Sequence, residues 1–221
     1  MREKRVLLLV GSPKSKRSTS LSLGEQVAKN LTESQGCVIE SMQVLKTIRE
    51  NPDELIQAWN RADAILLAYP VYVDSLPAHV IQTLMTCHEN RDDTKTRDFG
   101  VMVNCGFPEP LHNRHSIQIC REFARVSGLN WRGALSVGGG GTISGKPLAE
   151  MGKMASFLVE KSKNFAERFF NTEQEGSTET IEVQLAPTRL YMILGNRNWV
   201  QHAKKLGTHK RLKDKPYCKS H

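Results

Sequence analysis

The feature that most constrains this chain is the run Val6-Leu7-Leu8-Leu9-Val10, stopped by Gly11 and followed by Ser12-Pro13-Lys14-Ser15-Lys16-Arg17-Ser18-Thr19-Ser20. The run is too short for a helix and too uniformly apolar for an edge strand. It reads as a central strand of a parallel sheet, buried on both faces. Leu23, Val27 and Leu31 then recur at helical spacing. A helix therefore starts near Ser18, Thr19 or Ser20, any of whose hydroxyls suits an N-cap. Strand, loop and helix N-terminus make an anion grip, because the first-turn N–H groups lack helical partners and the helix dipole is positive there. Gly11 permits a sharp turn. Ser12, Ser18, Thr19 and Ser20 add hydroxyl donors, and Lys14, Lys16 and Arg17 add charge. The same residues also suit an ordinary basic connector, and on this segment alone the two readings stand level.

Neither GxxxxGK[ST] nor GxGxxG occurs in this loop, so it is neither a triphosphatase P-loop nor the dinucleotide fingerprint. Gly138-Gly139-Gly140-Gly141-Thr142-Ile143-Ser144-Gly145 approaches the second pattern but misses its spacing and lies late in the chain. It reads as a turn.

Beyond the first helix, strands and helices keep alternating. Cys37–Val44 reads as a strand and Asn51-Pro52-Asp53 as a helix start, with Leu55, Ile56 and Trp59 on one side. Ala62–Tyr69 is a buried strand, and Pro77 opens a helix carrying Val80, Ile81, Leu84 and Met85. Phe99–Asn104 is a strand. The next helix carries Ile117, Cys120 and Ala124 and ends at Gly128. Leu129–Val137 is the fifth strand, and Pro147 opens a long helix through Phe169. Five strand–helix alternations over residues 5–170 predict an open α/β parallel sheet with helices on both faces. Asn171–Thr180 reads as a polar linker. We thus expect a domain over 1–171 and a linker with a basic C-terminal extension over 172–221. In that extension Asn196 is expected to cap a helix bearing Trp199, Ala203 and Leu206.

The net charge of +8 belongs wholly to the tail. Residues 187–221 hold nine Lys/Arg and one acid, Asp214, which leaves 22 of each sign in residues 1–186. A uniformly basic nucleic-acid-binding fold is disfavoured. The tail admits three readings: packing on its own domain or on a partner in a homo-oligomer, contact with an anionic membrane surface, or binding of an acidic partner or a nucleotide phosphate. The five cysteines are scattered and contain no CxxC, which argues for reduced thiols and a cytoplasmic setting. Cys105, His112, His115 and Cys120 are the one metal-like grouping; they read as a thiol at a strand end and polar residues at a helix start, and no metal is expected. The start of the chain lacks a cleavage site after its short apolar run, so no signal peptide is expected.

In such sheets a ligand sits beyond the carboxyl ends of the strands, where the loops at 11–20, 69–76 and 104–109 meet. The second loop, Tyr69-Pro70-Val71-Tyr72-Val73-Asp74-Ser75-Leu76-Pro77, offers aromatic and apolar surface to a planar ring. Packing of its tyrosines on the helix beneath is the ordinary reading of that loop taken alone. Gly11-Ser12-Pro13-Lys14 with Ser18-Thr19, Pro70-Val71-Tyr72 with Leu76-Pro77-Ala78, and the glycine-containing loop at Asn104–Phe107 together resemble the NADPH-dependent FMN reductase family of the flavodoxin-like superfamily. The resemblance covers residues 5–170. It implies a three-layer sandwich around a five-stranded sheet of order 2-1-3-4-5, and FMN as cofactor. It implies that Ser12, Lys14, Ser18, Thr19 and Ser20 hold the flavin phosphate. Pro70, Val71, Tyr72 and Val73 would line the ring, and Asn104, Cys105, Gly106 and Phe107 would approach its edge. The activity implied is hydride transfer from NADPH or NADH to bound FMN and on to a small-molecule acceptor, a flavin or quinone; the alternative is a flavodoxin-like electron carrier. The cluster cysteines of the related iron–sulfur flavoproteins are missing, and Lys16 and Arg17 stand where related loops carry Asn or Gly. No acid–base residue is expected, and Cys105 is taken as a small residue at a crowded strand end rather than a redox thiol.

Overall fold

Alternation along the strands sorts the apolar side chains into two cores, one on each face of a single sheet. In β1 (Arg5–Val10), Leu7 and Leu9 join one core while Val6, Leu8 and Val10 join the other. We describe a computed structural model, which covers residues 3–14, 16–171 and 179–214, with the backbone alone at 153 and 154. The first core packs under α2 (Val44–Glu50), α3 (Pro52–Arg61), α4 (Ala78–Glu89) and α5 (Arg114–Val126). The second packs under α1 (Thr19–Gln35) and α6 (Lys153–Phe169). The remaining strands are β2 (Val38–Gln43), β3 (Ala64–Pro70), β4 (Asp98–Asn104), β5 (Asn130–Gly138) and β6 (Thr180–Gln184).

All pairings are parallel, and the order is β2-β1-β3-β4-β5-β6. The five strands expected from the sequence are present in the order 2-1-3-4-5, which is the flavodoxin-like winding. The strand count is corrected from five to six. Strand β6 is only five residues long with a single buried side chain, Val183, so it has the pattern of an edge strand and lacks the apolar run that marks β1, β3 and β4. The polar linker expected over 171–180 lies largely outside the described residues, as do Ser15 and Cys218.

Local chemistry fixes the helix ends. Ser18 is the N-cap of α1: its backbone is extended and its Oγ accepts from the Leu21 N–H at 3.1 Å. Helix α5 ends in a Schellman turn in which the Leu129 N–H donates to the Ala124 carbonyl at 2.9 Å and Gly128 is left-handed. Three expected boundaries shift. Strand β2 gives way directly to the short helix α2. The helix expected from Pro147 begins as a 3-10 turn, Leu148–Met151, breaks at Gly152 and restarts as α6. In the tail, α7 (Thr188–Lys205) starts after Pro187 and runs unbroken through Asn196, so Asn196 is not its cap.

The chain forms two compact units, Met1–Leu185 and Ala186–His221. The first contains the whole sheet. In the second, α7 is followed by a 3-10 turn, His209–Arg211. Among the described residues, no helix is long and apolar enough to cross a membrane.

Candidate functional site

Because every strand is parallel, the loops after β1, β3, β4 and β5 leave the sheet at one edge. The chain passes from β1 to β2 on one side and returns to β3 on the other. The loops after β1 and β3 therefore bracket the crevice where the winding reverses.

The first loop presents the N-terminus of α1, with no acidic residue in its first turn. Ser12 and Ser18 are buried against it, while Lys14, Lys16 and Arg17 are exposed. Ser12 Oγ accepts from the Lys14 N–H at 3.3 Å, which curls the loop back on itself. The Thr19 and Ser20 hydroxyls are turned inward. Thr19 Oγ1 donates to the Gly140 carbonyl at 2.7 Å, and Ser20 Oγ donates to Asn104 Oδ1 at 2.8 Å. Their hydroxyl protons tie this loop to its neighbours, and what they turn toward an anion is the first-turn backbone N–H.

The second loop leaves β3 at Pro70 and closes as a two-residue turn. Tyr72 and Ser75 exchange backbone hydrogen bonds of 3.1 and 3.2 Å around Val73 and Asp74, at φ of 51° and 58°. Both central residues of such a turn need positive φ, which Asn and Gly supply at little cost. A β-branched residue there is a strained outlier. Val73 gains no compensating burial, since it is 98% exposed, and Tyr72 beside it is half exposed. Val71 is half-buried, and Pro70 is buried.

The third loop begins at Asn104 and Cys105, both buried. Gly106 and Phe107 follow at the surface. The Val71 N–H donates to the Asn104 carbonyl at 2.8 Å and so joins the second loop to the third. Phe107 lies over His112, with ring centroids 4.3 Å apart and planes tilted by 31°. A Cβ built on Gly106 would meet nothing within 4 Å, so the backbone here borders open space. The Cys105 thiol points toward the Phe107 and Glu109 carbonyls at 3.5 and 3.6 Å. Burial raises its pKa, so it stays protonated at neutral pH.

Two contributors escaped the sequence reading. His79, in the first turn of α4, places Nε2 2.8 Å from the Gly11 carbonyl and steadies the turn out of β1. The glycine run after β5 is a packed joint, not a free turn. A Cβ on Gly138 would stand 2.1 Å from the Pro108 carbonyl oxygen, and one on Gly145 would stand 2.6 Å from the Arg17 carbonyl carbon. The N–H groups of Gly139 and Gly140 donate to the Phe107 and Cys105 carbonyls at 2.6 and 2.9 Å. A row of four glycines was the available signal, but their partners lie more than a hundred residues away in one case. The four loops are thus bonded to one another before any ligand arrives. The described residues hold no cluster of three or more potential metal ligands. A cavity of about 420 Å³ lies at the opposite end of the strands, lined by Glu3, Arg5, Val38, Glu40, Arg61 and Ala62, away from this edge.

The strand order and the parallel pairing define an open α/β fold of flavodoxin-like winding, with the loops after β1, β3, β4 and β5 bonded to one another at one edge. Solved structures agree on the fold. The NADH:FMN oxidoreductase EmoB superposes with a TM-score of 0.55 at 15% identity, over 80% of this chain and 95% of its own. An NAD(P)H:quinone oxidoreductase from Methanothermobacter marburgensis gives 0.54 at 15% identity, over 75% and 98%. An azoreductase from Bacillus anthracis gives 0.52 at 12% identity, over 75% and 100%. No protein-family model matches the sequence, and no curated protein matches it.

Proposed function

We propose that this chain is an FMN-dependent NAD(P)H oxidoreductase that passes electrons to a second small acceptor, a flavin or a quinone. One observation carries the reading: an anion-accepting helix N-terminus is hydrogen-bonded, through Ser20 and Asn104, to a loop edge that borders open space, beside an exposed aromatic and apolar turn. Those are the parts that a phosphate, an isoalloxazine ring and its polar edge require. Solved structures of like fold whose names include an NADH:FMN and an NAD(P)H:quinone oxidoreductase support it.

The residues fit the cofactor. Ser12 and Ser18, the first-turn N–H groups of Thr19 and Ser20, and Lys14 would hold the phosphate. Pro70, Val71, Tyr72 and Val73 would line the ring, and the backbone of Asn104, Cys105, Gly106 and Phe107 would face its edge. Bound FMN supplies the two-electron chemistry between the nicotinamide and the acceptor. The chain orients the ring. The hydrogen bonds between loops fix the backbone dipoles in advance, so no reorganisation is needed when charge develops. The crowded, protonated Cys105 contributes volume rather than a thiolate. No side chain need move a proton for this transfer.

Mixing the FMN-loaded protein with NADPH or NADH under argon tests the reaction. Rapid bleaching of the visible absorption with either donor is expected. A loaded protein that neither donor bleaches is a carrier instead.

A further inference from the structure

The second compact unit is unlike the first in both charge and surface. Residues 186–214 hold seven Lys/Arg against one acid, Asp214, which is itself paired with Arg211 at 2.8 Å. The same stretch exposes large apolar side chains. Ile193 is 65% exposed, Trp199 73% and Leu206 64%, and in the whole of α7 only Ala203 is buried. At 100° per residue, Met192, Trp199, Ala203 and Leu206 fall on one face, with Arg197 and Lys204 on the other. Toward its N-terminus, Leu190–Leu194 is apolar all round. Exposed apolar surface on this scale marks a surface that something covers.

We infer that α7 and the turn after it dock in the plane of an anionic lipid surface. Trp199 and the apolar N-terminal turns enter the headgroup boundary, while Arg197, Lys204, Lys205, Lys210 and Arg211 meet lipid phosphates and carboxylates. Charge decides between the occupants. The same unit of a second copy would bring the same excess of cations against itself. A nucleic acid would satisfy the cations and leave Met192, Trp199 and Leu206 in water. An anionic bilayer satisfies both. This docking does not depend on the flavin reading.

The test uses the full chain with sedimented vesicles of phosphatidylcholine, with and without phosphatidylserine. Binding at least about tenfold stronger to the anionic vesicles, weakened by salt, is expected. Trp59 is buried and Trp131 partly so, which leaves Trp199 as the exposed tryptophan. Its emission shifts to the blue on binding, and Trp199→Phe abolishes that shift while keeping the binding. Leu206→Glu, and separately Lys204→Glu with Lys205→Glu, lower binding at least about tenfold. These positions are exposed, so a circular dichroism spectrum unchanged from the parent is expected. Equal or absent binding to the two vesicle types overturns the inference. So does a dimer that Leu206→Glu dissociates in a protein that ignores vesicles, or retention by single-stranded RNA but not by vesicles.

Discussion

Ser20 Oγ donates to Asn104 Oδ1 at 2.8 Å, across 84 residues of chain, and both side chains are buried. This bond joins the first turn of α1 to the end of β4, and so joins the phosphate end of the proposed site to its ring end. Ser20→Ala leaves the Asn104 oxygen buried without that donor. A loss of about 1–3 kcal/mol is expected, read as a lower urea midpoint with an unchanged slope. FMN affinity falls with it. A midpoint equal to the parent's would mean that the two loops are held without this bond.

Gly138 and Gly106 predict opposite outcomes from the same substitution. At Gly138 a Cβ meets the Pro108 carbonyl oxygen at 2.1 Å, a backbone atom that cannot swing aside. Gly138→Ala should cost about 3 kcal/mol or more by displacing the third loop. Gly106→Ala enters open space. It should leave the melting temperature within error while weakening FMN, because the added methyl sits where the ring edge is proposed. Equal melting temperatures for the two variants would contradict the packed-joint account of the glycine run.

Val73 is held at a φ of 51° while 98% exposed, so the strain is offset by no packing. Val73→Asn should stabilise the free protein by about 1 kcal/mol, since Asn tolerates this region. It should also weaken FMN, because the apolar surface offered to the ring is lost. Thermal unfolding with and without FMN separates the two effects. A variant less stable than the parent would show that Val73 is packed rather than strained.

Cys87 and Cys120 carry thiols whose pKa burial pushes from 9.0 up to about 12. Each keeps its proton in the folded state where the unfolded chain has lost it. Their contribution to stability is therefore complete below pH 9 and is lost as pH rises toward 12. The slope is about −1.4 kcal/mol per pH unit for each thiol within that window. Urea midpoints measured from neutral pH to about pH 10 should fall, and less steeply in Cys87→Ala. A flat profile would show that these thiols titrate normally.

Much of the fold is legible in the sequence because parallel strands buried on both faces are written as unbroken apolar runs: Val6–Val10, Ala64–Tyr69 and Phe99–Val103. The sixth strand is not legible, since only Val183 of Thr180–Gln184 is buried and the rest reads as loop. Helix α2 follows β2 without a turn residue, so nothing punctuates it. In α7 the sequence offers Asn196 as a start, yet the apolar Leu190–Leu194 stretch is already helical. At the site, the sequence identifies which loops matter but not what their hydroxyls do. Thr19 and Ser20 look like ligand donors until the fold brings them against Gly140 and Asn104. His79 gives no local sign of its role, because its partner at Gly11 lies 68 residues away.

The central claim is that the loop after β1 grips the phosphate of a flavin mononucleotide. Titrating the protein, first stripped of any bound flavin, with FMN and, separately, with riboflavin, which lacks the phosphate, tests it directly through quenching of flavin fluorescence. FMN should bind tightly and riboflavin at least about a hundredfold more weakly, as expected for the loss of several charge-assisted hydrogen bonds. Failure to take up FMN, or equal affinity for the two flavins, would contradict the account.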